Sequence, residues 1–324
     1  MTTEPDLTVI IPVHNASATI AGIVHEFRSI SDIRKEIILV DDYSTDDSSQ
    51  IITDLDDRHD DVTAMFHRRN HGAGIARNTG FAAATGRYTL FFDADDIPHA
   101  AAIAAAVPRL DETGADLAVM PYRYRRGALT KHESMNTHDI DIWDSYVGGA
   151  GHRLLQLDEA PRLLRFSNYP WNKIHRTETY RDAGIRFGST PVNNDILGHW
   201  YAYLFASTIL LIDQEICTHI VLGEGANLSN RHSRVRLSLF DAFDETYDLL
   251  ESVPHLRNRY SHHYWASVIR TAAWAQDRIG PELTQEFNLR LQQHLTRINL
   301  ADFARIRLKR DPALANAIVR KTLA

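Results

Sequence analysis

Three short apolar runs, Leu7 to Val13, Glu36 to Val40 and Tyr88 to Phe92, each end abruptly in polar residues. Each run is long enough for one buried strand, and amphipathic segments separate them. The chain is thereby constrained to a parallel sheet with crossover helices. Between the first two runs, Ile20, Ile23, Val24 and Phe27 recur at helical spacing, the stripe of a helix lying on a sheet. Asp46 and Asp47 are expected in the first turn of the next helix, which carries Ile51, Ile52 and Leu55, with Ser44 or Thr45 as its cap. Val62 to His67 and Asp116 to Tyr124 read as further strands. Pro98 and Pro108 are expected to bracket a short alanine-rich helix.

Open α/β sheets bind ligands outside the carboxyl ends of their strands. Those ends here read Pro12-Val13-His14-Asn15, Asp41-Asp42-Tyr43-Ser44-Thr45-Asp46 and, after Phe92, Asp93-Ala94-Asp95-Asp96. A lone Asp-x-Asp is ordinarily a solvated acidic turn. Beside two other polar strand ends, its hard oxygens suit Mg²⁺ or Mn²⁺ carrying a diphosphate, with room left for water and phosphate oxygens. Gly72 and Gly74 allow close backbone approach, but without a preceding strand they do not form a dinucleotide fingerprint.

The net charge of -7 argues against a nucleic-acid binder, which needs a basic surface. Cys217 is the only cysteine, so no internal disulfide is possible and a reducing cytoplasm fits. The first residues lack the basic start and apolar stretch of a signal peptide, and no run is long enough to span a bilayer; peripheral contact with an inner membrane face remains open. From Gly127 to Glu159 the periodicity is poor, which reads as a long excursion. After about residue 230 the pattern turns helical: Leu237, Phe240, Phe243, Tyr247 and Leu250 mark one face, Trp265, Val268, Ile269 and Ala272 another, and Leu283, Phe287, Leu291 and Leu295 a third. Arg305, Arg307, Lys309, Arg310, Arg320 and Lys321 make the last segment basic, either a solvated face or an attraction for an anionic membrane or acceptor.

Four ordered blocks, Val9 to Asn15, Val40 to Asp46, Ala76-Arg77-Asn78-Thr79-Gly80 and Phe92 to Asp96, resemble those of the family 2 glycosyltransferases. The likeness is close over roughly residues 1 to 120 and fainter through Tyr169-Pro170-Trp171-Asn172-Lys173-Ile174 to Asn194-Asp195. It implies a GT-A fold, an α/β class with a Rossmann-like mixed sheet flanked by helices, over residues 1–228, with a helical domain over 229–324. It implies an enzyme that moves a sugar from a nucleotide sugar, a UDP-sugar most of all, to a glycan or glycoconjugate acceptor with inversion. Mn²⁺ or Mg²⁺ would be held by Asp95 directly, with Asp93 completing the shell through water or holding the ribose, and Asp96 capping the next helix.

The same resemblance places the donor against Pro12, Val13, His14, Asn15, Asp42, Arg77, Asp93 and Ala94. Asp42 would accept from a pyrimidine N–H. Arg77 would reach the base or phosphates, or else pair with a neighbouring carboxylate. Asp195 would be the base, or a plain helix cap. Trp171, Lys173 and Asn194 would line the acceptor or diphosphate side, with core packing the alternative for Trp171. His219 is a further candidate ligand for metal or phosphate. The chain departs from the family pattern at His14, where tyrosine is commoner, at Tyr43, where glycine is frequent, and at Asn194, where a glutamate often precedes the aspartate. A non-catalytic sugar-nucleotide-binding subunit is the rival reading. A nucleotidyltransferase is disfavoured, because the Gly-rich basic loop it needs after Val13 is missing. The helical region is expected to serve assembly, including self-association, or acceptor placement.

Overall fold

The computed structural model describes residues 4–126, 132–221 and 233–323. The strands in chain order are β1 (Leu7–Val13), β2 (Lys35–Asp41), β3 (Val62–Phe66), β4 (Tyr88–Phe91), β5 (Ile97–Pro98), β6 (Leu117–Val119), β7 (Arg123–Arg126), β8 (His132–Ser134), β9 (His152–Leu155), β10 (Lys173–Arg176), β11 (Ile209–Ile212) and β12 (Cys217–Val221). The main sheet runs β3-β2-β1-β4-β10-β6-β11-β9, and a smaller one runs β5-β12-β7-β8. Its first four strands are parallel, while β10 enters antiparallel to both neighbours, which makes the sheet mixed.

Helices α1 (Ile20–Arg28), α2 (Ser48–Arg58), α3 (Ala73–Ala83) and α4 (Ala100–Thr113) alternate with these strands. All four residues of the predicted α1 stripe are buried. A Cβ on Gly80 would come within 2.5 Å of Ile10 Cγ2, so this glycine lets α3 lie close against β1. Further along are α5 (Thr137–Val147), α6 (Thr177–Asp182) and α7 (Asp195–Leu204), followed by α8 (Leu239–Ser252), α9 (Pro254–Gln276), α10 (Thr284–Leu295), α11 (Leu300–Arg305) and α12 (Pro312–Leu323). The expected faces of the helical region are largely buried, and its core is continuous with that of the sheet domain: Trp200 on α7 meets Tyr264 on α9 edge-on at 5.5 Å. The predicted division at residue 228 lies outside the described residues, as does the start of the predicted excursion.

Four local expectations need correction. The strand expected over Asp116 to Tyr124 is two strands in different sheets, β6 and β7. Pro121 has no N–H to give a ladder, while its carbonyl accepts from Ile216 and Met120 N donates to Asn172. Helix α2 begins at Ser48, later than expected: Ser44 Oγ instead accepts from Asn15 N, and Asp46 takes Ser48 N at 3.0 Å. Helix α4 runs through Pro108 to a left-handed Gly114 (φ 66), because the buried Val107 and Leu110 keep it packed on the sheet. The excursion contains α5, whose Asn136 side chain caps it by accepting from Asp139 N at 2.9 Å, and β9, which extends the main sheet.

Candidate active site

Phe92 N donates to Ile10 O at 2.9 Å, so the chain leaves β4 beside the carboxyl end of β1. Strand β1 has β2 on one side and β4 on the other, and this switch point is where an open sheet forms its ligand crevice. Side-chain oxygens of Asp93, Asp95 and Asp96 lie within 4.8 Å of one another there. Burial and then the negative charges of Asp96 and Asp93 raise Asp95 to about 7. As a residue Asp95 is exposed, so crowding of like charge carries more of that shift than burial does.

The three carboxylates are not equivalent. Asp96 is buried and does not cap α4, which starts at Ala100 with no side-chain cap. Its carboxylate instead holds β12, accepting from His219 Nδ1 at 2.8 Å and Ile220 N at 2.8 Å. Burial works against a charged ring at His219, but Asp96, Asp95 and Asp93 together raise it above its ordinary value. Asp93 accepts from Arg77 Nη2 at 2.5 Å through Oδ1. Among the described residues Asp93 Oδ2 and the Asp95 carboxylate have no side-chain partner, so two hard oxygen ligands are available to a divalent cation. The donor set fits Mg²⁺ or Mn²⁺.

Arg77 links this cluster to the candidate base. Its guanidinium is buried, donates through Nη1 to Asn194 Oδ1 at 2.9 Å, and lies 5.1 Å from the centre of the Phe187 ring. Asn194 directly precedes α7, and Asp195 is that helix's first residue. Asp195 is therefore not the cap. Burial, opposed by Arg77 and reinforced by Asp93, raises its carboxyl to about 6. The segment before it is held from two sides. Asn78 exchanges two hydrogen bonds with the Phe187 backbone (2.8 and 3.0 Å), and Glu245 of α8 accepts from Ser189 Oγ at 2.7 Å. A Cβ on Gly74 would sit 2.1 Å from Gly188 O, so only glycine lets α3 approach this segment.

The predicted donor residues fall into two groups. His14 and Asn15 are exposed at the β1 end; His14 Nδ1 lies 3.0 Å from Asp42 O, and Asn15 Oδ1 accepts from Thr45 N at 2.8 Å. Ala94 is half-buried, and its carbonyl accepts from Thr19 Oγ1. Pro12 and Val13 are buried, and Val13 O is taken by Asp42 N. The Asp42 carboxylate accepts from His67 Nδ1 (2.8 Å), His71 N (2.8 Å) and Gly72 N (2.6 Å). It organises the loop into α3 and keeps one acceptor position on Oδ2. Tyr43 is 54% exposed with φ 64, which explains why a glycine suits this position.

Trp171 and Lys173 do not line an open acceptor face. Trp171 is fully buried and stacked on Tyr169 (4.5 Å, 10°), because its large apolar surface is worth more in the core. Lys173 is buried too, donates to Tyr169 O and Asn172 Oδ1, and is brought down to about 7 by burial, against the pull of Asp195 and Asp139. Asn78 and Glu245 escaped the sequence reading. Asn78 lies inside one of the family-like blocks, but nothing in the sequence marks it as a neighbour of Phe187, 109 positions away, or Glu245 as a neighbour of Ser189, 56 positions away.

This mixed sheet flanked by helices, with its carboxylate cluster at the switch point, has the GT-A fold. S. aureus TarS residues 1–349, in a structure in complex with UDP-GlcNAc, shares this fold at a TM-score of 0.75 and 17% identity, over 98% of this chain and 88% of that one. The model of glycosyl transferase family 2 matches residues 8–183, more than half of the chain, and the chain belongs to that family. Curated relatives include the Rhizobium meliloti succinoglycan biosynthesis protein ExoO, 30% identical over 36% of this chain and 32% of that protein. Another is the Bacillus subtilis putative teichuronic acid biosynthesis glycosyltransferase TuaG, 36% identical over 29% and 37%. The match to B. subtilis EpsJ, an uncharacterized glycosyltransferase, is longer, 33% identical over 56% and 51%. The chain spans about a third of the length of the first two. Among the described residues no helix is long and apolar enough to cross a membrane.

Proposed function

We propose that this family 2 protein is an inverting transferase that passes a sugar from a nucleoside-diphosphate sugar, a UDP-sugar first, to a hydroxyl of a surface polysaccharide or glycoconjugate. The observation that carries the reading is the hydrogen-bonded chain from Asp93 through Arg77 to Asn194, which sets the raised carboxyl of Asp195 relative to the carboxylate cluster. UDP-GlcNAc in TarS and the biosynthetic names of ExoO and TuaG support the donor and product classes.

Asp195 takes the acceptor O–H proton as that oxygen bonds to the anomeric carbon, and the bond from that carbon to the diphosphate oxygen breaks with its electron pair leaving on the nucleoside diphosphate. Near pH 7 a carboxyl of pKa about 6 is mostly ionised yet basic enough for this role. Asp93 and Asp95 would hold Mn²⁺ or Mg²⁺, with His219 as a further candidate. When bound, the ion supplies charge neutralisation at the departing diphosphate. His14, Asn15 and Asp42 Oδ2 face the nucleoside side, and Arg77 keeps Asp93 and Asn194 in register. Donor-dependent release of nucleoside diphosphate with an added acceptor tests the reading. Donor binding without turnover would make the chain a binding subunit instead.

A further inference from the structure

Away from this cleft, a second concavity of about 190 Å³ lies where α9 meets the turn Pro161–Arg165. Its walls include Asp158, Arg259, His262, His263 and Arg310. Arg310 comes from the turn before α12, about fifty residues beyond the other cations, so the tertiary fold gathers basic groups that the sequence scatters. Asp158 is already engaged: it pairs with Arg259 and accepts from the Tyr260 hydroxyl. Among the described residues, neither Arg310 nor the adjacent Arg165 has a carboxylate partner.

His263 is only 7% exposed, and its Nδ1 has no hydrogen-bond partner among the described residues. An unsatisfied buried ring nitrogen in a polar cavity is expensive unless something fills it. The His262 and His263 rings lie side by side with centroids 4.1 Å apart, tilted 41° to each other. Burial, then Arg310 and Arg165, lowers His262 to about 4, with Asp311 opposing; burial, then His262, Arg165, Arg310 and Arg162, lowers His263 to about 3. The cavity exceeds the roughly 30 Å³ share of a liquid water several-fold, leaving room for a tetrahedral anion and its waters.

We propose that this pocket binds a phosphate group, as a phosphomonoester or phosphodiester, between Arg310, Arg259 and the His262–His263 pair. The site is separate from the carboxylate cleft and stands whether or not the glycosyl-transfer reading holds. A planar guanidinium and ring N–H groups match phosphate oxygens, and an anion there offsets the charge of Arg310, while Arg259 shares its own with Asp158. By linkage, the bound anion makes protonation of His262 and His263 easier, so their titration midpoints rise.

The test uses the full chain with inorganic phosphate at fixed ionic strength, followed by calorimetry and by the imidazole proton resonances. Saturable binding with an upward shift of the His262 midpoint is expected. Arg310→Glu, at an exposed position, should weaken binding by at least about tenfold while donor-dependent nucleoside diphosphate release stays at the wild-type level. His263→Gln should weaken it too; if that variant misfolds by circular dichroism, Arg310→Glu alone decides. Phosphatidylglycerol vesicles that compete with phosphate and need Arg310 would assign the site to a lipid headgroup, whereas phosphate binding without vesicle binding would assign it to a soluble phosphorylated ligand. No binding of phosphate by the wild type, binding unchanged by Arg310→Glu, or vesicle binding without phosphate binding would each overturn the proposal.

Discussion

Asp195 carries a cost that the fold tolerates. Its carboxyl is raised to about 6 from 3.8, so the folded state holds this proton more tightly than the unfolded chain does. Stability from this group is complete below about pH 4 and is lost as pH rises through about 6. Ionised Asp195 therefore destabilises the fold by up to about 3 kcal/mol at neutral pH. Asp195→Asn should raise the melting temperature at pH 8 more than at pH 5, while kcat falls about 10² to 10⁴-fold. In the wild type, kcat/KM should drop on the acid side of about pH 6, as the base becomes protonated. A pH-independent stability change with normal turnover would remove Asp195 from the chemistry. Arg77 is the companion case. Lysine cannot bridge Asn194 and Asp93 at once, so Arg77→Lys should cost kcat/KM at least about tenfold, one lost charge-assisted bond being worth that much, with a lower melting temperature. Wild-type kinetics in a folded variant would show that the bridge is dispensable.

At the scale of elements, the site depends on how α3 meets the segment from Phe187 to Asn194. Gly74 makes that approach possible, and Arg77, one turn further along the same helix, holds the far side. Gly74→Ala would place a methyl group against the Gly188 carbonyl and Asn194 Cβ, neither of which has room to yield. Overpacking of this kind costs about 1–3 kcal/mol, and the displaced Asn194 should carry Asp195 out of position. Both thermal stability and turnover should fall, with donor affinity less affected, since Asp42 and the β1 end lie elsewhere. Urea denaturation alongside steady-state kinetics would check this, and an unchanged kcat would show that the segment adjusts freely.

For the whole molecule, two tests separate chemistry from architecture. Chelation by EDTA and Asp95→Ala should each reduce transfer by more than about 100-fold, the scale of losing a contact to charge that develops in the transition state. Restoration by Mn²⁺ is expected for the chelated wild type alone, and full activity in EDTA would refute a metal role. Removing residues 233–323 should do something different. The helical region buries Trp200 and supplies Glu245 to Ser189, so the shortened chain should bind a hydrophobic dye and lose its cooperative unfolding transition. A well-folded truncation with normal donor binding would show that the helices are an independent domain.

The sequence by itself determined the parallel half of the sheet, the α1 stripe, the faces of α8 and α10 and the carboxylates after β4, because each depends on local periodicity and on residue types adjacent in the chain. It also placed Asp195 at a helix start. Only the tertiary structure decided that Trp171 and Lys173 lie inside, that Asp96 serves His219 rather than a helix end, and that Pro121 passes the chain from one sheet to the other. It alone brought Arg77 to Asn194 and Arg310 to His263. Burial and charge pairing are properties of neighbours in space, and these neighbours lie between roughly fifty and more than a hundred positions apart, beyond the reach of any pattern that runs along the chain.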